Sequence, residues 1–182
     1  MTISFGQNPK EKLFARTVKE VIISLSRRDS ARLSNFIGKR TGVYILYSIG
    51  TKQTYKHLKT IGFSDSTYPN NPFYDKVKFT SIKYGPLPTF DCGTEKWTKK
   101  GTYVDTLKID HLLSKTAKWC NKNFQDKIPT KTISKFSDLE IKSRRVIVAV
   151  DYYGNELIFY LSYLNNKWVL TIIDKVTCDC SV

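Results

Sequence analysis

Three runs close the chain, and they restrict its fold more than any other feature. Residues 144–153, 157–164 and 167–176 are rich in Val, Ile, Leu, Tyr, Phe and Trp, a composition that suits a pleated, half-buried surface. Gly154-Asn155 separates the first pair of runs and Asn165-Asn166 the second. Gly and Asn accept the positive φ that tight primed hairpin turns demand. The pattern predicts a three-stranded antiparallel meander. Side chains alternate across a strand, so Val146, Val148 and Val150 share one face, and Ile147, Ala149 and Asp151 the other. Both sets are largely apolar, which places the first run inside the sheet. In the third run Trp168, Leu170 and Ile172 are expected on one face, with Val169, Thr171 and Ile173 on the other. At least one face needs a cover.

The N-terminal half offers that cover. Asn8-Pro9-Lys10-Glu11 is a helix start: Asn8 caps, Pro9 suits the first position and Glu11 can close a capping box. Phe14, Val18, Val21, Ile22 and Leu25 follow at helical spacing. The spacing predicts a helix over 9–25, packed on the concave face of a curved sheet. Asp29-Ser30 starts a second, short helix ending near Phe36, and Gly38 stops it. Residues 42–48 read as a strand. Residues 50–102 are dominated by turn chemistry, with a strand expected only over 77–84. Residues 102–124 read as a helix, ended by Pro129, with a polar connection on to the meander. The whole chain, 1–182, is expected to be one domain in which 50–142 resembles an insertion.

Composition narrows the function classes. The formal net charge is +14, from 30 Lys and Arg against 16 Asp and Glu. Such a surface attracts nucleic acid, anionic lipid or acidic partners. The basic clusters are short pairs (Arg27-Arg28, Lys39-Arg40, Lys99-Lys100, Arg144-Arg145), and no nucleic-acid motif accompanies them. The charge therefore reads first as a solvated surface. No apolar run is long enough to span a bilayer, and residues 2–12 are polar where the core of an export signal would be apolar.

No catalytic constellation is visible. His111 falls among the lysines of its expected helix, and His57 has no acid near it in sequence. Neither belongs to a metal-binding pattern, and no glycine-rich phosphate loop is present; no metal or cofactor is expected. Asp151 and Asp174 lie in the meander, where a carboxylate in an apolar concavity can act as a base. The simpler reading of both is an aspartate at a turn or edge, facing solvent. An aromatic sheet face can also stack bases, but more often it is core. Four cysteines are present. Cys178 and Cys180 are too close to bridge each other easily. Cys92 with Cys178 or Cys180 is the expected bridge, against a chain that is reduced throughout.

The order of two helices, a strand, connecting segments and a closing meander resembles NTF2-like (cystatin-like α+β) domains. The wording of residues 27–29, 42–47, 157–161 and 165–170, with the closing Cys178-Asp179-Cys180-Ser181, is similar to that of extracytoplasmic proteins of Bacteroidota. The resemblance implies a curved antiparallel sheet whose pocket hosts ligands, enzymes or dimer contacts, and it places the chain outside the cytoplasm if an export signal has been removed, in the cytoplasm otherwise. The expectation is a non-enzymatic binding or interaction module for a small ligand or a protein. Its pocket would lie between the meander and the N-terminal helix, lined by Asp151, Tyr153, Phe159, Trp168 and Asp174. The alternatives are a nucleic-acid or polyanion binder acting through the basic surface, and a pocket enzyme using Asp151 or Asp174.

Overall fold

The computed structural model describes residues 8–64, 69, 74, 77–106, 109–150 and 156–180. Helix α1 (Pro9–Ser26) begins where Asn8 accepts a hydrogen bond from the Lys10 amide at 2.9 Å. Asp29 caps α2 (Ser30–Ser34) by accepting from the Arg32 amide. Strands β1 (Val43–Ile49) and β2 (Lys52–Leu58) form a hairpin. Then come β3 (Ile82–Tyr84), the small β4 (Phe90–Asp91) and β5 (Lys96–Trp97) hairpin, and β6 (Gly101–Asp105). Helices α3 (Leu112–Phe124) and α4 (Thr130–Ile141) lead to β7 (Ser143–Ala149), β8 (Leu157–Leu164) and β9 (Lys167–Asp174).

The fold is α+β around one seven-stranded sheet of order β2-β1-β9-β8-β7-β6-β3. The sheet is mixed rather than wholly antiparallel. β1 lies parallel to β9 and β3 parallel to β6, while the other pairs are antiparallel. β2, β3 and β6, from the stretch read as insertion-like, are members of this same sheet. Asn165 and Asn166 both take positive φ in the β8–β9 turn. The Gly154-Asn155 turn lies outside the described residues, although β7 and β8 pair antiparallel on either side of it.

Both faces are covered. Phe14, Val18, Val21, Ile22 and Leu25 of α1 pack with Val146, Val148, Phe159, Leu161 and Leu170 on one face. Leu113 and Ala117 of α3 and Ile133 and Phe136 of α4 pack with Leu46, Tyr160 and Ile172 on the other. A third cluster joins Trp97 to Ile147, Ala149, Ile158 and Cys178. Among the described residues no helix is long and apolar enough to cross a membrane.

Several elements differ from the sequence reading. The strand expected over 77–84 is confined to Ile82–Tyr84, and the short β4–β5 hairpin has no counterpart in that reading. Residues 101–105 are strand, not the start of a helix. Thr102, Tyr103 and Val104 are β-branched or aromatic and all buried, and pairing with β7 outweighs an accidental helical spacing. Residues 130–141 are helical because Pro129 precedes the first turn, where a missing N–H costs nothing; Ile133, Phe136 and Glu140 form its buried stripe. Strand β2 is a mostly polar, lysine-bearing edge, the type of strand that sheets use to avoid edge-to-edge pairing. In β9, Tyr160 pairs with Ile172 but Leu161 pairs with Leu170, so Thr171 is an extra, bulged residue. Alternation therefore flips: Ile173, not Ile172, joins Trp168 and Leu170 beneath α1.

Candidate functional site

A groove of about 800 Å³ lies at the end of the sheet where β1 and β9 begin. Three pieces of chain form it: the turn after α2, the residues that follow β2, and the β8–β9 hairpin. Its cations are Lys39, Arg40, Lys59 and Lys167; Asn35, Thr41, Thr60 and Asn165 stand among them. All four cations are exposed. Among the described residues no carboxylate lines the groove, and none pairs with these four side chains. Three described acids pair with other cations: Glu20 with Arg32, Asp126 with Lys52, and Glu11 with Arg144.

The groove exists because β9 changes partner along its length. At Leu170 its neighbour is the α2–β1 connection: the Leu170 amide donates to the Phe36 carbonyl at 2.7 Å, and Ile37 bridges Leu170. From Ile172 onward the neighbour is β1. Between these contacts the chain loops out through residues 38–42 and carries Lys39 and Arg40 on the loop. Gly42 closes the loop at φ +65°, and a Cβ there would stand 2.4 Å from the Leu58 carbonyl oxygen and 2.5 Å from His57 Nε2. Only glycine accepts both the backbone conformation and the approach. His57 Nε2 lies 2.7 Å from the Thr41 carbonyl, and its ring stacks on Tyr44 at 4.4 Å. His57 thus holds the basic loop against β2.

The expected pocket beneath α1 is occupied by side chains. Phe159 is fully buried, and Trp168 meets Phe14 edge-on at 4.8 Å. Trp168 also lines a separate cleft of about 450 Å³ beside Lys10 and Arg144. The Trp168 Nε1–H donates to the Lys10 carbonyl, and Lys10 Nζ sits 4.0 Å above the Tyr163 ring. Asp151 and Tyr153 lie outside the described residues.

Asp174 does not face solvent: its carboxylate is fully buried. Oδ1 accepts from the Val176 and Thr177 amides at 2.9 and 3.0 Å, and Oδ2 accepts from Arg145 Nη2 at 2.7 Å and Thr177 Oγ1 at 2.6 Å. Arg145 Nη1 also donates to Asp110 Oδ2, which accepts from the Tyr160 hydroxyl as well. Burial opposes the Arg145 charge, but Asp174, Tyr160 and Asp110 outweigh it and hold the guanidinium above its ordinary pKa. Burial first, and then the Asp174 charge, pushes the Tyr160 hydroxyl well up. Arg145 and Asp110 form one wall of a cleft of about 430 Å³ closed by residues 86–90. With four donors on its two oxygens, Asp174 anchors the turn after β9; it has no lone pair turned to a substrate.

A disulfide joins Cys92 to Cys180, tying the β4–β5 turn to the C-terminus. Cys120 and Cys178 are free and buried, and burial raises both thiols, which makes them poor nucleophiles. His111 precedes α3 instead of riding on its lysine face. Its Nδ1 is 3.6 Å from Oε2 of Glu140, a buried carboxylate whose Oε1 accepts from the Leu113 and Ser114 amides. Glu140 therefore caps α3 from α4. Burial raises its pKa, and the hydrogen bonds and His111 oppose the shift.

Comparison with family models, with curated proteins and with solved structures returns no match to this chain.

Proposed function

We propose that this protein is a non-enzymatic binding module whose working site is the basic groove, and that its partner is anionic. The observation that carries this reading is the four exposed cations, Lys39, Arg40, Lys59 and Lys167, converging on one concavity with no carboxylate among its described lining residues. Water and salt screen the mutual repulsion of these exposed cations, and an entering anion relieves what remains. The buried engagement of Asp174 and the structural tasks of His57 and Glu140 favour binding over catalysis. The Cys92–Cys180 bridge favours export, because the cytosol keeps thiols reduced. Kinship with NTF2-like domains is part of this proposal and rests on chain order, with Phe14, Phe159 and Trp168 filling the space a ligand would take.

Titration of isotopically labelled protein with sucrose octasulfate, a compact polyanion, tests the site. The expected amide shifts lie in residues 34–41, 59–60 and 164–169. Shifts centred on the Arg145 cleft, or none at millimolar ligand, would overturn the assignment.

A further inference from the structure

We propose that the groove takes a segment of acidic polysaccharide, sulfated or uronate-bearing, in preference to a nucleic-acid strand; the proposal rests on the groove being an anion site. Two observations separate these ligands, and a third fixes the charge they share. The first is what stands between the cations. Asn35, Thr41, Thr60 and Asn165 present neutral amides and hydroxyls, the groups that exchange hydrogen bonds with sugar hydroxyls.

The second is the lack of a stacking plane. Proteins that hold single-stranded nucleic acid combine a basic track with aromatic faces, and stacking supplies much of the affinity. No aromatic residue is found among the described lining residues of this groove. The nearest aromatics along the hairpin are committed: Trp168 is buried, and Tyr163 is covered by Lys10 on its face and by Trp168 at 5.1 Å. A volume of about 800 Å³ falls in the range that encloses a compact ligand. That suits a few saccharide rings.

The third is the character of the charge. Three of the four cations are lysines, held on separate segments of chain. Lysine binds sulfate, carboxylate and phosphate alike as a mobile point charge, so these cations set the sign of the ligand and not its class. Lysines on separate segments suit anions spaced along a chain. The disulfide supports an oxidising setting, where acidic glycans are exposed at cell surfaces.

The test compares a heparin-derived octasaccharide with oligothymidylate of equal formal charge, both by calorimetry at 150 mM salt. The proteins are the wild type, a charge variant (Lys39→Gln, Arg40→Gln, Lys59→Gln and Lys167→Gln together) and a neutral variant (Asn35→Ala with Asn165→Gly). Glycine is used at 165 because φ there is +49°. The octasaccharide is expected to bind wild type at least tenfold more tightly than the oligonucleotide. The charge variant is expected to lose roughly thirty-fold, taking each screened contact as about a two- to threefold factor. The neutral variant should lose several-fold for the saccharide and nothing for the oligonucleotide. Equal or tighter oligonucleotide binding, or a neutral variant that affects both ligands alike, overturns the polysaccharide assignment and leaves the anion site standing. A charge variant that binds both ligands like wild type overturns the anion site as well.

Discussion

Removing either partner of the Arg145–Asp174 pair should cost about as much as removing both. Asp174 is fully buried and Arg145 is 16% exposed at the side chain, and they meet at 2.7 Å. In Arg145→Met, Asp174 keeps its three donors from Val176 and Thr177 but loses its counter-charge. In Asp174→Asn, an amide NH₂ or a single neutral oxygen faces the guanidinium, which retains Asp110 on its other arm. Breaking a buried pair from one side costs about 3–5 kcal/mol, because it strands a charge away from water. The retained contacts place each single variant at the lower end, about 3 kcal/mol. For a chain of this length that corresponds to a fall in Tm of about 10 °C. The double variant removes both members of the pair and leaves Asp110 without Arg145, as the single arginine variant does, so it should lose about 3 kcal/mol as well, and the coupling in the cycle should be about 2–3 kcal/mol. Urea unfolding of the four proteins under non-reducing conditions, with a common slope against urea, measures this. Single losses below about 1 kcal/mol that simply add would show a water-screened pair and refute the argument.

Other consequences are as direct. Thiol counting on native, unreduced protein should find two free thiols after denaturation; replacing Cys92 and Cys180 by serine should lower stability by about 4–5 kcal/mol in the chain-entropy model, since the bond spans 88 residues. Gly42→Ala should cost at least about 2 kcal/mol in thermal unfolding, because left-handed strain adds to two backbone and ring clashes. Glu140→Gln should be close to neutral at pH 7, since Oε1 still caps α3 while a buried charge is removed, whereas Glu140→Ala should cost about 1–2 kcal/mol. Lys175, whose pKa burial lowers to about 8, binds its proton less readily folded than unfolded. Its contribution should raise stability as pH climbs from about 8 to 10.5 and stay flat below that window, and Lys175→Met should abolish this slope, worth on the order of 3 kcal/mol.

The parts of this fold that depend on neighbours in sequence were legible. Asn8-Pro9 starts α1, Asp29 caps α2, and Asn165-Asn166 turns the last hairpin. The parts set by distant partners were not. Thr102 to Val104 are strand only because β7 lies beside them, and β2 has too little apolar surface to announce itself. The Thr171 bulge reverses the facing of Ile172 and Ile173, which strict alternation cannot anticipate. Asp174 reads as an edge carboxylate until Arg145, 29 residues earlier, reaches across the sheet to it. The groove was the least legible feature. Lys39-Arg40, Lys59 and Lys167 are scattered as ordinary surface charges, and only the parallel pairing of β1 with β9 and the Phe36–Leu170 contact bring them together.

That convergence is the central claim, and a matched-charge comparison tests it most directly. One variant carries glutamine at Lys39, Arg40, Lys59 and Lys167. The other carries glutamine at Lys115, Lys118, Lys122 and Lys135, exposed lysines of α3 and α4. Both lose the same four charges. The measurement is the affinity for the heparin-derived octasaccharide across a salt series. If the groove is the site, wild type should show a slope of log K against log salt of about −3, as expected for four contacts. The groove variant should lose roughly thirty-fold and most of that slope, while the helix variant stays within about twofold of wild type. Equal losses in the two variants would mean that the octasaccharide responds to net charge alone, and the groove would not be the site.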